Sequence, residues 1–274
     1  MKLILFSKML KEKSIEELAE LAGRLGLDGY DLAVRPEYPV NPDNAARALP
    51  QAARILRAAG LDIPMLTGNF DLLEPSHPTA EPILGAMDAA DVRLVKLGYF
   101  KLDPATMDYW AEVDRVRRIF EGWARLAEKH RVKVCYHTHS NRCMGLNAGM
   151  LAHLIRGLDP RFIGAYLDTG HLVAEGEEFA VAAAIVRPHL SIVSLKDFLL
   201  HRQEKGGHGS VQREVVEAGQ GMVDWTAVFA ELKRLGYRGP GTIHCEFEAA
   251  DFPAAVAREV AFFRALRQAS GMGG

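Results

Sequence analysis

The chain has 274 residues, 49% of them hydrophobic, and 33 lysines and arginines against 35 aspartates and glutamates give a net charge of -2. That supplies a large core for one or two domains, and the balanced charge, with no basic run, excludes nucleic acid as an obvious partner. Three cysteines, Cys135, Cys143 and Cys245, show neither metal-type spacing nor the arithmetic of a disulfide scaffold, which fits a reducing cytoplasm.

Residues 1–7 contain only four consecutive apolar positions, too few for a signal-peptide core or a membrane span, and are expected to form the first strand. Ser14 and Glu17 make a capping-box pattern, and Ile15, Leu18, Ala19, Ala22 and Leu25 recur at helical spacing up to a stop at Gly26. A strand over 30–34 completes one strand–helix unit. The unit then repeats, with a helix over 49–59, a strand over 61–66 weakened by Pro64, a helix over 83–90 and a strand over 92–97. A long helix over 107–129 leads to a strand ending in His137 and His139. Further helices fit 147–156, 177–186, 224–235 and 253–267, with Asp224 as a cap.

Four of the apolar runs end in chemistry. The stretch from Arg161 delivers Asp168 and then His171, the run from Val132 delivers His137 and His139, the run from Leu190 delivers Ser194, Lys196 and Asp197, and the last delivers Glu246 and Glu248. Side chains alternate along a strand, so His137 with His139, Ser194 with Lys196, and Glu246 with Glu248 are expected to share a face. About eight strands alternating with about eight helices, in a chain close to the ~250 residues typical of such barrels, predict an α/β protein made of a single closed (β/α)8 TIM barrel over 1–274. An open doubly wound sheet would want a glycine-rich turn after its first strand, and residues 6–10 contain no glycine. The irregular stretch 199–221, rich in glycine, is expected to be a mobile loop covering the site.

Asp168, Thr169, Gly170 and His171, the Ser194–Asp197 segment, the Gly219, Gly221 and Trp225 segment and the terminal Glu246 together resemble the xylose isomerase-like superfamily of sugar isomerases, epimerases and dehydratases. The resemblance covers essentially the whole chain. It implies a divalent ion held by a glutamate, an aspartate, a histidine and a glutamate on strands five to eight. Asp168 and Glu246 match; His137 stands in the glutamate position and Ser194 in the histidine position. The run Tyr136, His137, Thr138, His139 is similar to inosose dehydratase-like members.

On this reading His137, Asp168 and Glu246 hold Mn²⁺, Co²⁺, Zn²⁺ or Fe²⁺, which suits a mixed nitrogen and carboxylate shell. The ion would acidify a C–H beside a sugar carbonyl, and the enediolate would lead to isomerisation, epimerisation or dehydration. Glu246 is the expected base, His137 and Lys196 the proton donors, and His139, His171, Lys96 and Arg213 the contacts to a small sugar, sugar phosphate or polyol. Plainer readings stand beside these: structural ion pairs for Asp168 and Glu246, a core histidine for one of His137 and His139, and solvated rim charges for Lys96, Lys196 and Arg213. His77, His130, His189 and His201 are expected on surfaces or loops, His208 is a weaker candidate contact, and Trp110 and Trp123 are expected in a core or interface. A barrel that only binds sugar, or one with nuclease chemistry, are the alternatives; a homo-oligomer is compatible with all of them.

Overall fold

Leu3–Phe6, the first strand (β1), is buried along its whole length, and a strand with no polar face requires cover on both sides. The same is true of β2 (Gly29–Ala33), β5 (Lys133–His137) and β6 (Ile163–Asp168), in which at most the first residue is partly exposed. The other strands are β3 (Asp62–Thr67), β4 (Leu94–Lys96), β7 (Leu190–Leu195), β8 (Asp197–Lys205), β9 (His208–Val216) and β10 (Gly241–Ile243). In this computed structural model, which describes residues 1–273, eight of them close into a barrel in the order β1-β10-β7-β6-β5-β4-β3-β2, with every neighbouring pair parallel. The expected (β/α)8 architecture is therefore present.

Helices α1 (Ile15–Leu25), α2 (Ala45–Ala58), α3 (Ala80–Ala89), α4 (Tyr109–Lys129), α5 (Ala148–Ile155), α6 (Thr169–Ala174), α7 (Phe179–Ile185), α8 (Trp225–Arg234) and α9 (Phe252–Ala269) complete the described chain. Their starts follow local chemistry. The Ser14 hydroxyl accepts from the Glu17 amide at 3.2 Å while the Glu17 carboxylate accepts from the Ser14 amide at 2.7 Å, and Gly26 closes α1 in the left-handed region at φ 67°. Asp108, Asn147, Asp224 and Asp251 each cap a later helix through a side-chain oxygen. Pro64 is tolerated in β3 because the register with β2 shifts between Asp62 and Met65, where no regular ladder bond is required of it.

Inside the barrel, Ile4, Met65, Cys135, Tyr166 and Ile192 pack with Leu94 into an apolar plug. Two residues further along the strands, on the same inward face, come Thr67, Lys96, His137, Asp168 and Ser194. The period of two thus converts a packed interior into a polar floor at the carboxyl ends.

One expectation needs correction and two are narrowed. Residues 199–221 are not an irregular loop: β8 and β9 form an antiparallel ribbon from Asp197↔Val216 to Lys205↔His208. Gly206 and Gly207 make its turn with φ of 59° and 84°, the two positive values that a tight hairpin turn of this hand needs. His189 is buried rather than on the surface, with Nδ1 2.8 Å from the Ile163 carbonyl. Trp123 is fully buried, but Trp110 is 59% exposed and belongs to no core.

Candidate active site

At the carboxyl ends of the strands lies a cavity of about 350 Å³. Six of the side chains expected to carry chemistry line it together: Lys96, His137, His139, His171, Lys196 and Glu246. Asp168 is completely buried and sits behind His137 and Lys196 rather than on the wall. Arg213 is elsewhere. It lies on β9, 2.7 Å from Glu175, and ties the ribbon to the end of α6 instead of reaching the cavity. The ribbon contributes Phe198 and Val215 at its root, a paired position that walls one side of the cavity. Glu248, expected on the face of Glu246, points to solvent because regular strand structure stops at Ile243.

The centre of the site is Lys196. Its ammonium lies 2.5 Å from Glu246 Oε2 and 3.8 Å from Asp168 Oδ2, and its side chain is 6% exposed. Its strand end is held by Thr169, whose hydroxyl donates to the Ser194 and Lys196 carbonyls at 3.0 and 2.8 Å. The other oxygen of Glu246 pairs with Lys8, from the 3-10 turn that follows β1. Burial by itself would raise both acids, but Lys196 with His244 and Lys8 holds Glu246, and Lys196 with His171 and His137 holds Asp168, well below the usual carboxylate range. Burial would lower Lys196, and the two carboxylates outweigh it and raise the ammonium above its ordinary value.

Four imidazoles surround this ion cluster. His137 takes Tyr99 Oη at 2.7 Å on Nδ1, while its Nε2 stands 3.2 Å from Asp168 Oδ2 at an angle too oblique for a hydrogen bond. Burial pushes His137 down to about 3 and His139 down to about 4, so both are neutral near pH 7. His171 accepts the Ser140 amide on Nδ1 at 3.3 Å, which puts its proton on Nε2, a buried donor with no protein partner. Its backbone amide donates to Asp168 Oδ1 at 2.9 Å, so the turn from β6 into α6 fixes both residues. His244 receives the Tyr166 hydroxyl region at 2.9 Å on Nε2 and approaches Glu246 to 3.4 Å through Nδ1.

A model of the xylose isomerase-like TIM barrel family matches residues 19–266. The chain belongs to that family. Within reach of this xylose isomerase-like barrel is an inosose dehydratase of Lacticaseibacillus casei, 24% identical over 247 residues that cover 83% of this chain and 79% of the relative. Among solved structures, the 3-keto-D-glucoside 4-epimerase YcjR of E. coli superposes with a TM-score of 0.75 at 18% identity, covering 97% of this chain and 99% of the other. The D-psicose 3-epimerase of Clostridium cellulolyticum H10 gives 0.71 at 15% identity, over 97% and 99%. The IolI protein, whose structure contains a zinc atom, gives 0.74 at 15% identity, over 98% of each chain. Dehydratases and epimerases of sugars and polyols thus share the fold and, distantly, the sequence, which supports an enzyme.

Does this barrel's floor fit the divalent ion that such a family implies? His137 Nε2 and Asp168 Oδ2 are buried polar atoms without hydrogen bonds, and an imidazole nitrogen, once it has given up its proton, and a carboxylate oxygen are both of suitable chemistry. The rest of the donor set is not. The seventh strand presents the Ser194 hydroxyl, Glu246 has an ammonium on each oxygen, and the charge between the two carboxylates is already that of Lys196. Among the described residues no three His, Cys, Asp or Glu side chains are grouped to hold a metal ion. The expected shell of His137, Asp168 and Glu246 does not close, because a covalently attached cation stands inside it.

Sequence reasoning missed Tyr99, Tyr166, His244, Arg35 and Lys8, all of which line the cavity. For His244 a signal existed, since Thr242, His244 and Glu246 follow the same period of two. Asp31 and Arg35 frame the end of β2 just as polar residues end the other strands. Tyr99 lies in a connection whose sequence carries no such mark.

Proposed function

We propose that this barrel enolises a small keto-sugar or keto-polyol, removing a proton from the carbon beside the carbonyl, as an isomerase, epimerase or dehydratase does. The observation that carries this is the Lys196 ammonium, buried between Glu246 and Asp168 on the floor of a cavity of sugar size. A fixed positive charge in a site of low dielectric stabilises the oxyanion that develops when a carbonyl becomes an enediolate. A substrate carbonyl oxygen beside Lys196 competes with Glu246 for the ammonium. As negative charge grows on that oxygen, the field acting on Glu246 weakens and the carboxylate becomes a better base, so base strength appears only when it is used.

His171, with Nε2–H free, is the hydrogen-bond donor for a substrate hydroxyl, and Tyr99 Oη, whose own proton is held on His137, accepts from another. The sugar or polyol therefore lies between a carboxylate on the eighth barrel strand and neutral imidazoles on the fifth and sixth. Dehydration is the second, finer reading. Only Glu246 among the cavity-lining residues offers a carboxylate, whereas inversion by two carboxylates needs one on each face of the carbon. The divalent ion expected from the family has no part in this reading, since Lys196 occupies its charge position.

Enolisation is measurable without knowing the product. The wild-type protein incubated in D2O with inososes, D-fructose or 3-keto-glucosides is expected to wash out the C–H signal beside the carbonyl in proton NMR spectra. Absence of exchange across that set, with the protein folded, refutes the proposal.

A further inference from the structure

Most buried or half-buried cations of this barrel have a carboxylate within 4.0 Å: Lys196 has Glu246, Arg213 has Glu175, and Arg267 has Asp28. Two in the cavity do not. Arg35, 7% exposed just beyond β2, spends its Nε on the Gly68 carbonyl at 3.4 Å and lays its guanidinium 4.3 Å from the Phe70 ring centre and 5.6 Å from that of Phe6. Lys96, 3% exposed at the end of β4, has its Nζ 3.9 Å from the Tyr99 ring centre and no carboxylate within salt-bridge distance. Both line the same cavity as Lys196 and Glu246.

The acid buried nearby forms no ion pair with either of them. Asp31 accepts the Thr67 hydroxyl at 2.8 and 3.0 Å, and burial raises it to about 7. Burial, and then the charge of Arg35, lowers Lys96 to about 7 as well. A guanidinium and a lysine at low exposure, among aromatic rings and with no carboxylate in salt-bridge range, are costly to charge in an empty cavity and favourable against an anion. Arginine, with its planar fork of donors, suits the oxygens of a carboxylate or phosphate.

We infer that Arg35 and Lys96 form an anion subsite, so that the substrate is a keto-sugar bearing a carboxylate or phosphate at the end remote from the reacting carbonyl. Lys96 sets this span: β4 stands four strands round the closed barrel from β10, beyond which Glu246 lies, and three from Lys196 at β7, while Arg35 beyond β2 is three from β7 and two from β10. The inference rests on the enolising reading for the word substrate, though not for the existence of the subsite.

The test is calorimetric titration of the wild type with D-fructose, D-fructose 6-phosphate and 5-keto-D-gluconate, repeated for Arg35→Ala, Arg35→Lys and Lys96→Met. At least one charged compound should bind about tenfold or more tightly than D-fructose. Arg35→Ala should bring that ratio close to one, and Arg35→Lys should keep part of it. Preference for the phosphate or for the carboxylate decides which anion the subsite takes. Equal binding of charged and neutral sugars overturns the inference, as does a preference that survives both Arg35→Ala and Lys96→Met in variants whose melting temperatures match the wild type. Exchange in D2O on neutral inososes alone, without charged-sugar preference, removes the subsite and leaves enolisation standing; Arg35-dependent anion binding without any exchange does the reverse.

Discussion

Replacing Lys196 by Met keeps the length of the side chain and deletes its charge. Glu246 then retains Lys8 and His244, and Asp168 loses the ammonium 3.8 Å away while keeping the His171 amide at 2.9 Å. Removing one partner of a buried pair typically costs about 3–5 kcal/mol, and the lower end applies here because both acids keep a second partner. For a domain of this size that corresponds to a fall in melting temperature of roughly 2–4 °C per kcal/mol. The loss should depend on pH in a defined sense. Because the folded protein depresses both carboxylates, their contribution is present above the ordinary carboxylate pKa of about 4 and is lost as the pH falls below it. Urea unfolding of wild type and variant should therefore differ most at pH 7 and converge as the pH falls below about 4. The rate of D2O exchange should drop by about 10²–10³, as for loss of one oxyanion-stabilising group. Titration with Zn²⁺ or Mn²⁺ supplies a third readout: the wild type should take up neither ion at micromolar concentration, and the variant, with its two carboxylates and His137 released, should gain affinity. A wild type that binds such an ion tightly and an equally stable Lys196→Met protein would refute the reasoning, because Lys196 would then be a bystander to a metal shell.

Asp31→Asn should stabilise the protein most at pH 8 and least below pH 4. The wild-type acid is raised to about 7, so folding favours its protonated form, and the stability linked to it is complete below the ordinary value near 4 and lost as the pH climbs from there through 7; with a shift of about 3 units the gain is bounded at about 4 kcal/mol, read by thermal melts at the two pH values. Arg213→Ala should leave sugar binding intact while costing about 1 kcal/mol and exposing residues 197–216 to protease, since its partner is Glu175 and not the cavity. Gly207→Ala should loosen the ribbon by about 1 kcal/mol through its φ of 84°, seen as faster amide exchange in β8 and β9 with unchanged exchange in the barrel.

The strand-end chemistry was legible because two simple periods coincide in it. Buried runs marked the strands, and alternation put His137, Lys196 and Glu246 on the inward face, where all three line the cavity. What alternation does not encode is which charges meet. Lys8 and Glu246 are 238 residues apart, and their pairing follows from barrel closure between β1 and β10, a contact no local pattern announces. The same gap explains Arg213, whose charge suggested substrate until the ribbon geometry assigned it to Glu175. In 199–221 the glycines suggest a free loop, whereas two adjacent glycines between stretches of strand length are a hairpin turn signal. Trp110 shows the limit of periodicity, since a helical position fixes a face but not whether anything covers it.

Asp197 collects the Gly219, Gly221 and Val223 amides and the Trp225 indole on one carboxylate, at 3.0, 3.3, 3.1 and 3.0 Å, and a Cβ on Gly221 would collide with it. The two ends of the ribbon are thereby fastened to each other before α8 begins. Its far end, at Gly206 and Gly207, is exposed and carries no such ties. A peptide tag or small fluorescent domain spliced between those two glycines should consequently be accepted without disturbing the barrel, and shortening the ribbon from that end by matched pairs of residues would leave Phe198 and Val215, which wall the cavity, in place. Segment 197–225 is in this sense an exchangeable module, clasped at its root and free to vary in length.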